Sequence, residues 1–211
     1  MPDEQVQRLE ERIATLEREL ADLRQSLSQP TLQARIDRFR QRWTCRSLTV
    51  NGDFRCAVPV LFLGEGSITI GANVRFGWHR DPSFYDSGYV LIDARKSAHI
   101  EIGDDVIINN NSAIIAEGEG IAIGARTMIG WSVEIFDSDF HDLDPARRRG
   151  GIAATSRVTL GQNTLIGAHS AILKGSRIGD DSVIGYGSLV SGDILPRVVA
   201  AGRPARILRS L

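Results

Sequence analysis

The stretch Val133–Gly151, VEIFDSDFHDLDPARRRGG, holds a single histidine, His141, among acidic and basic residues. An imidazole has an ordinary pKa of about 6.5, so it can accept and release a proton near neutral pH. The carboxylates around it are Asp137, Asp139, Asp142 and Asp144. Asp139 is the first candidate to orient the ring, and the other three compete with it. A lone histidine in a loop is also often only a solvated or hydrogen-bonded surface residue.

Regular repeats flank this stretch, because aliphatic residues return at every sixth position. The clearest run is Leu160, Ile166, Ile172, Ile178, Ile184 and Val190. A small, mostly polar residue stands two positions before each of them, and glycine often stands one position after. Fragments in the same phase are Ile70 and Phe76, then Ile102, Ile108 and Ile114, then Ile123, Ile129 and Ile135.

A six-residue period fits short strands joined by tight corners, with one aliphatic side chain of each strand pointing inward. Corners accept Gly, Asn or Asp because these residues tolerate positive φ. One coil cannot bury its own apolar face, so coils must stack at about 4.8 Å into a parallel β-helix. Twenty-five residues separate Ile135 from Leu160, which predicts an extruded loop over about 137–156.

The N-terminal segment has a different period. Apolar residues spaced alternately by three and four are Val6, Leu9, Ile13, Leu16, Leu20, Leu23 and Leu27. This is the seam of a coiled coil over three heptads, and Pro30 ends it. We predict an oligomerisation segment over residues 1–43 and a β-helical domain over 44–211. The alternative is an amphipathic helix packed on its own domain.

Composition sets limits on the class of protein. The chain has 211 residues, 42% hydrophobic and 24% charged, with a formal net charge of -1, which does not indicate a nucleic-acid surface. Two cysteines imply no disulfide framework. The N-terminus lacks the order of a signal peptide, and no apolar run approaches eighteen residues. A cytoplasmic protein is therefore predicted.

The sequence IGAHSAILKGSRIGDDSVIGYGSLVSGDI, followed by VVAAGRPARILRSL, resembles the C-terminal half of hexapeptide-repeat acyltransferases. These left-handed parallel β-helix enzymes include maltose, galactoside and capsular-polysaccharide O-acetyltransferases. The resemblance extends from about residue 60 to the C-terminus and is strongest from Ile102 onward. It implies a mainly β fold, with a left-handed parallel β-helix of hexapeptide repeats after the N-terminal coiled-coil helix.

The resemblance also implies roles for individual residues. The stretch DSDFHDLDP matches the family's catalytic loop, which makes His141 the general base in direct acetyl transfer, and Asp139 then orients His141 or holds a sugar hydroxyl. Asn109 matches a substrate-binding asparagine and Asn111 is a second match, although both can equally be corner residues. The run ARRRGG is either a solvated charge run or a contact for an anionic acceptor. A second interruption, GWHRDPSFYDSG over 77–88, is either a sugar-binding wall or a local aromatic cluster.

The implied acyl donor is acetyl-CoA, held in a groove between neighbouring subunits. On the family's pattern, Ala168 offers a backbone N–H to the thioester oxygen. Ser191 matches a pantetheine- or phosphate-contacting threonine. The remaining cofactor-binding candidates are Tyr186, Arg203, Arg206 and Arg209. The chain departs from the pattern at three positions, which are Leu165, Tyr186 and Gly192.

Several functions remain open on the sequence alone. We favour an acetyl-CoA-dependent O-acetyltransferase acting on a sugar or polysaccharide, in a homotrimer without metal. Alternatives are an N-acetyltransferase of an amino sugar and a non-catalytic trimeric scaffold. γ-Class carbonic anhydrases share the prism but need a histidine pair five residues apart. The four histidines, which are His79, His99, His141 and His169, offer no such pair.

Overall fold

The computed structural model describes residues 49–77 and 88–211, and Arg12 alone before them. The predicted coiled coil over 1–43 and residues 78–87 of the aromatic interruption lie outside the described residues. Residues from 49 onward belong to the second of two units of the chain, Gln41–Leu211. The boundary predicted between residues 43 and 44 stays a prediction.

Short strands make up almost all of the regular structure in the described ranges. Before the long loop they are β1 (Thr49–Asn51), β2 (Phe54–Cys56), β3 (Val60–Gly64), β4 (Ser67–Ile70), β5 (Val74–Phe76), β6 (Val90–Ala94), β7 (His99–Ile102), β8 (Ile107–Ile108), β9 (Ala113–Ala116), β10 (Ile121–Ile123), β11 (Met128–Ile129) and β12 (Glu134–Phe136). After it they are β13 (Val158–Leu160), β14 (Leu165–Ile166), β15 (Ala171–Ile172), β16 (Arg177–Ile178), β17 (Val183–Ile184), β18 (Leu189–Val190), β19 (Asp193–Ile194), β20 (Val198–Gly202) and β21 (Ala205–Ser210).

From β1 to β20 successive strands belong in turn to three sheets, so every three strands form one coil of a prism, and β21 then pairs with β20 in the same sheet. Sheet A runs β1-β4-β7-β10-β13-β16-β19, sheet B runs β2-β5-β8-β11-β14-β17-β20-β21, and sheet C runs β18-β15-β12-β9-β6-β3. Pairing is parallel throughout except between β20 and β21, which are antiparallel. We call the turns between sheets corner AB, corner BC and corner CA. The predicted left-handed parallel β-helix of hexapeptide repeats is confirmed.

The core is a set of aliphatic columns along the prism axis. Every residue of the run Leu160 to Val190 that the six-residue period singled out is at most 2% exposed. At the N-terminal end three aromatic rings close the core, with centroid distances of 5.5 Å for Phe54–Phe62 and 5.6 Å for Phe54–Phe76. The period therefore predicted the buried face correctly.

The small polar residues two positions before each aliphatic residue are also buried. Their hydroxyls donate to backbone carbonyls, as Ser176 Oγ does to Val190 O at 3.2 Å and Ser182 Oγ to Leu195 O at 2.8 Å. Thr127 Oγ1 donates to Gly161 O at 3.0 Å in the same way. A hydroxyl is thus preferred at this column because it both fits the corner and satisfies a buried carbonyl.

Positive φ occurs at the corners as predicted, for example at Asn163 (52°) and Asp181 (57°). These residues stand three positions after the aliphatic residue. The glycines directly after it have another cause, which is the close approach of the next coil. A Cβ on Gly161 would lie 2.6 Å from the backbone N of Asp180, and one on Gly167 would lie 2.6 Å from that of Tyr186.

We therefore expect Gly161→Ala to lower the free energy of unfolding by about 1–3 kcal/mol, because the added methyl overpacks a rigid corner. Gly150→Ala is the matched control, since no atom lies within 4 Å of a Cβ built there. Chemical denaturation of both variants measures the difference. Equal stability of the two variants would show that the coils can separate at this corner without penalty.

Candidate functional site

The loop between β12 and β13 leaves the prism at corner CA. Its neck is a short antiparallel bridge between Ser138 and Thr155, and the Asp139 N–H donates to Ala154 O at 3.1 Å. Phe140 follows with a positive φ of 61°, and its N–H donates to Ser138 Oγ at 2.9 Å. The neck thus fixes the backbone on the N-terminal side of His141.

Asp137, which the sequence left as a competitor for orienting His141, has a structural role. Its side chain is fully buried and accepts hydrogen bonds from the N–H groups of Glu117 (2.7 Å), Gly118 (3.1 Å) and Gly120 (2.7 Å). Three convergent amides form a nest for the carboxylate. Asp137 therefore joins the base of the loop to the turn of the preceding coil.

Asp142 and Asp144 are occupied within the loop. Arg147 Nε lies 2.9 Å from Asp142 Oδ2 and 3.5 Å from Asp144 Oδ2. Asp142 Oδ1 also accepts from the Asp144 N–H, and Asp144 Oδ1 accepts from the Ala146 N–H, both at 2.9 Å. These contacts give the loop its shape and tie up both carboxylates and one of the three arginines.

Asp139 differs from these two carboxylates because its ion pair is with Lys174, outside the loop. Its Oδ2 is buried and has no hydrogen-bond partner within the described residues, and Lys174 Nζ lies 3.4 Å from it. His141 is exposed, and no hydrogen bond to it is found in the described part of the chain. The loop therefore presents an accessible imidazole two residues along the chain from a buried carboxylate oxygen that is ion-paired with Lys174 and accepts no hydrogen bond from the described residues.

The floor under the neck is a small polar cluster from the preceding coils. Lys96 Nζ contacts Glu117 Oε1 at 2.8 Å, and Ser138 Oγ donates to Glu117 Oε2 at 2.8 Å. The guanidinium of Arg95 lies 5.3 Å from the centroid of the Phe140 ring. These contacts hold the loop over corner CA through charge and aromatic packing.

The pKa of Glu117 is lowered, mainly because Lys96 donates a hydrogen bond to its carboxylate, while burial opposes the effect; Ser138 and the charges of Lys96 and Arg95 add to the lowering. A carboxyl whose folded pKa is depressed stabilises the fold above its unfolded pKa and loses that contribution as pH falls through the folded value.

Between pH 6 and pH 3 we therefore expect the wild type to lose more unfolding free energy than Glu117→Gln does. Glu119→Gln, an exposed neighbour in the same turn, is the control and should keep the wild-type dependence because it retains Glu117. Urea denaturation at several pH values measures this difference. Parallel curves for wild type and Glu117→Gln would rule out the contribution.

Corner BC carries the two candidate substrate asparagines. Asn109 Oδ1 accepts from the Asn110 N–H at 2.8 Å, so this oxygen has a structural bond. Asn111 is exposed, has a φ of 59°, and lies against Gly88, where a side chain would collide with its amide. Both asparagines thus lie at corner BC, one sheet away from the corner that carries His141.

Three side chains form a stack on the same corner, and the sequence analysis did not group them. They are Trp131, His169 and Tyr186. Trp131 Nε1 donates to His169 Nε2 at 3.0 Å, and the His169 ring lies edge-on to Tyr186 with a centroid distance of 5.3 Å. Trp131 is 37% exposed and Tyr186 69% exposed. Between them in the column lies Ala168, whose N–H has no acceptor within the described residues.

The cofactor-binding candidates are divided among corner BC, corner CA and strand β21. Ala168 and Tyr186 lie at corner BC, and Arg203 Nε donates to the carbonyl of Gly187 beside them at 2.8 Å. Arg206 and Arg209 lie on β21, opposite Ala201 and Val199 of β20. Ser191 follows β18 in sheet C and so lies at corner CA, with His141. Ser191 and Ala168 therefore lie at different corners within one chain.

Two contacts were absent from the sequence interpretation. One is the ion pair between Lys174 and Asp139, because Lys174 occupies a corner position of the repeat and its spacing does not indicate a partner. Trp131 and His169 are 38 residues apart, because the extruded loop interrupts the coil between them. One coil spans eighteen residues, as from Leu160 to Ile178, so subtracting the loop could have aligned the two side chains.

Two further properties hold for the described residues. No helix among them is long and apolar enough to cross a membrane. Within ranges 49–77 and 88–211, no group of three His, Cys, Asp or Glu side chains is arranged to hold a metal ion.

Coils of three short strands, a buried hydroxyl column and glycines at the coil contacts define a hexapeptide-repeat left-handed β-helix. Residues 157–192 match the family model for the bacterial transferase hexapeptide (six repeats). The resemblance inferred from the sequence to hexapeptide-repeat acyltransferases is thereby confirmed.

Two curated relatives support the same assignment. The chain is 34% identical over 143 residues to a galactoside O-acetyltransferase of Escherichia coli K12, covering 68% of this chain and 64% of that protein. It is 34% identical over 113 residues to a galactoside O-acetyltransferase of Lactococcus lactis, covering 54% of each. The chain thus spans between 54% and 64% of the length of these relatives.

Among solved structures, the chain is similar to AntD, an N-acyltransferase from Bacillus cereus, in complex with dTDP and 3-hydroxybutyryl-CoA. The TM-score is 0.61 at 20% identity, covering 78% of this chain and 84% of that one. At this identity the likeness concerns the fold alone.

Proposed function

We propose that the chain is an acetyl-CoA-dependent O-acetyltransferase whose acceptor is a hydroxyl of a sugar or polysaccharide. The observation that carries the proposal is the exposed His141, presented by a fixed neck two residues after the buried Oδ2 of Asp139, which is ion-paired with Lys174 and accepts no hydrogen bond from the described residues. The similarity to two galactoside O-acetyltransferases supports the choice of reaction.

In the proposed reaction His141 removes the proton from the acceptor hydroxyl while that oxygen attacks the thioester carbon. The C–O bond forms, the C–S bond breaks, and the imidazolium returns the proton to the departing thiolate. Asp139 holds the imidazolium or a substrate hydroxyl through its Oδ2. The N–H of Ala168 donates to the oxygen on which negative charge develops. No acyl-enzyme is needed.

The donor groove in this proposal lies between two copies of the chain. Ala168 and Tyr186 lie at corner BC, where Arg203 contacts Gly187, whereas His141 and Ser191 lie at corner CA. If corner BC of one copy faces corner CA of the next, a homotrimer contains three complete sites. Asn109 and Asn111 then face the His141 loop of the neighbouring copy as candidate acceptor contacts, and Arg206 and Arg209 of β21 extend toward the nucleotide.

The N-terminal coiled coil, the domain boundary after residue 43 and a cytoplasmic location belong to the same proposal. Mass measurement of the native assembly tests the oligomeric state. Three chains per particle is the expected result, and a monomer that still transfers acetyl groups would contradict the shared site.

The proposed function is tested by titrating acetyl-CoA into the purified chain and then offering galactosides and amino sugars as acceptors. We expect one acetyl-CoA per chain and transfer to galactosides, detected by release of the CoA thiol and by an alkali-labile product. An alkali-stable product formed only with amino sugars would indicate N-acetylation instead. Absence of acetyl-CoA binding at millimolar concentration would contradict the proposal and favour a non-catalytic scaffold.

A further inference from the structure

The first two coils carry a pair of arginines on the outer face of sheet B. Arg55 in β2 and Arg75 in β5 are register partners on adjacent parallel strands, and both are exposed. Adjacent strands lie about 4.8 Å apart, so the two side chains leave the sheet side by side. The next residues along the row are Ile107 and Met128, which are apolar.

These two guanidinium groups have no carboxylate partner in the described part of the chain, since neither occurs in any of its ion pairs. Like charges directly opposite each other destabilise a sheet. An anion bound by both arginines would remove that repulsion, because its negative charge complements the two positive charges.

A cavity of about 330 Å³ opens at this position, and the described residues that line it are Arg55, Asn73, Arg75 and Asp105. Such a volume falls at the lower end of the range for small-molecule sites, roughly 300–1,000 Å³. Asn73 and Asp105 are corner AB residues with φ of 57° each, so their backbones are fixed by the coil geometry. The cavity therefore combines two cations with two polar groups on a rigid frame.

We propose that this cavity binds the phosphate group of a small phosphorylated sugar or polyol. Forked guanidinium groups match phosphate oxygens, and two of them balance a dianion. The carboxylate of Asp105 repels an anion, so it must face a neutral part of the ligand, where it accepts from hydroxyl groups. A phosphate ester that carries hydroxyls satisfies both requirements. The site lies on sheet B and does not depend on the proposed transferase reaction.

The test is a calorimetric titration of glucose 6-phosphate into the full chain, the Arg55→Gln and Arg75→Gln variants, and the double variant. Both arginines are exposed and water screens their contacts, so each single variant should weaken binding by about two- to fivefold and the double variant by more. Arg177→Gln is the matched control, an exposed arginine on sheet A that should bind like the wild type.

Further probes separate the chemistry. Glucuronate and inorganic phosphate should both bind more weakly than glucose 6-phosphate, and glucuronate binding as tightly would overturn the assignment to phosphate. Unchanged affinity in the double variant would overturn the site itself. Binding displaced by coenzyme A but insensitive to both arginines would locate the probe in the donor groove and would likewise overturn the site. Acetyl-CoA binding by the double variant should equal that of the wild type.

Discussion

His141→Ala should lower kcat for acetyl transfer by about 10²–10⁴-fold, the contribution typical of a positioned general base. The histidine is exposed on the loop and makes no hydrogen bond within the described residues, so its removal should leave the fold intact. Acetyl-CoA affinity should stay within a factor of two of the wild type, because the donor-binding candidates are other residues. Steady-state kinetics with a galactoside acceptor, together with calorimetry, measures both quantities.

The matched control is His99→Gln, which removes an imidazole from sheet A, where Nδ1 of the histidine lies 2.8 Å from Ser67 Oγ. This variant should keep the wild-type kcat. Asp139→Asn should reduce kcat by a smaller factor than His141→Ala, because it alters the group that supports the base and leaves the base in place. A His141→Ala enzyme with full activity would contradict the assignment of the general base.

Asp137→Ala should lower the free energy of unfolding by about 3–5 kcal/mol, the second large effect that the structure predicts. The change removes the acceptor of three N–H groups at the turn Glu117–Gly120 and leaves a buried cavity in their place. Each unsatisfied buried amide costs about 1–3 kcal/mol, partly relieved where the turn relaxes toward water.

Asp144→Ala is the control for this measurement, because Asp144 lies on the exposed part of the loop and its ion pair with Arg147 is solvated. It should cost less than about 1 kcal/mol. Urea denaturation gives both values. Transfer activity should also fall in Asp137→Ala, since the same carboxylate anchors the loop that carries His141. Equal stability of the two variants would mean that the turn finds other acceptors for its amides.

The fold could be predicted because each coil repeats the same local constraints. Ile172, Ile178 and Ile184 occupy equivalent inward positions, so a six-residue period in one dimension is enough to recover the buried face. The sequence analysis attributed the small residues at positions such as Ser176 and Ser182 to the limited space at a corner, and both side chains are buried. The structure adds that their hydroxyls satisfy carbonyls of the neighbouring coil.

The candidate site was only partly predictable. The loop and its histidine could be found because a period was broken, but Asp139 was only the first of four candidate carboxylates around that histidine. The roles of the other carboxylates depend on their contacts, which the sequence pattern does not specify. Asp137 accepts a hydrogen bond from the turn at Glu117, and Asp142 forms an ion pair with Arg147. A sequence pattern contains the residue types but not which oxygen faces which amide.

The sequence by itself therefore determined the prism, its buried columns and the position of the extruded loop, because these follow from local spacing and repeated burial. Only the tertiary structure decided that Asp139 pairs with Lys174 and which residues share a corner. It also decided that Ser191 and Ala168 lie at different corners of one chain. These properties depend on coil-to-coil register, and register is set by the stacking of whole strands across eighteen or more residues.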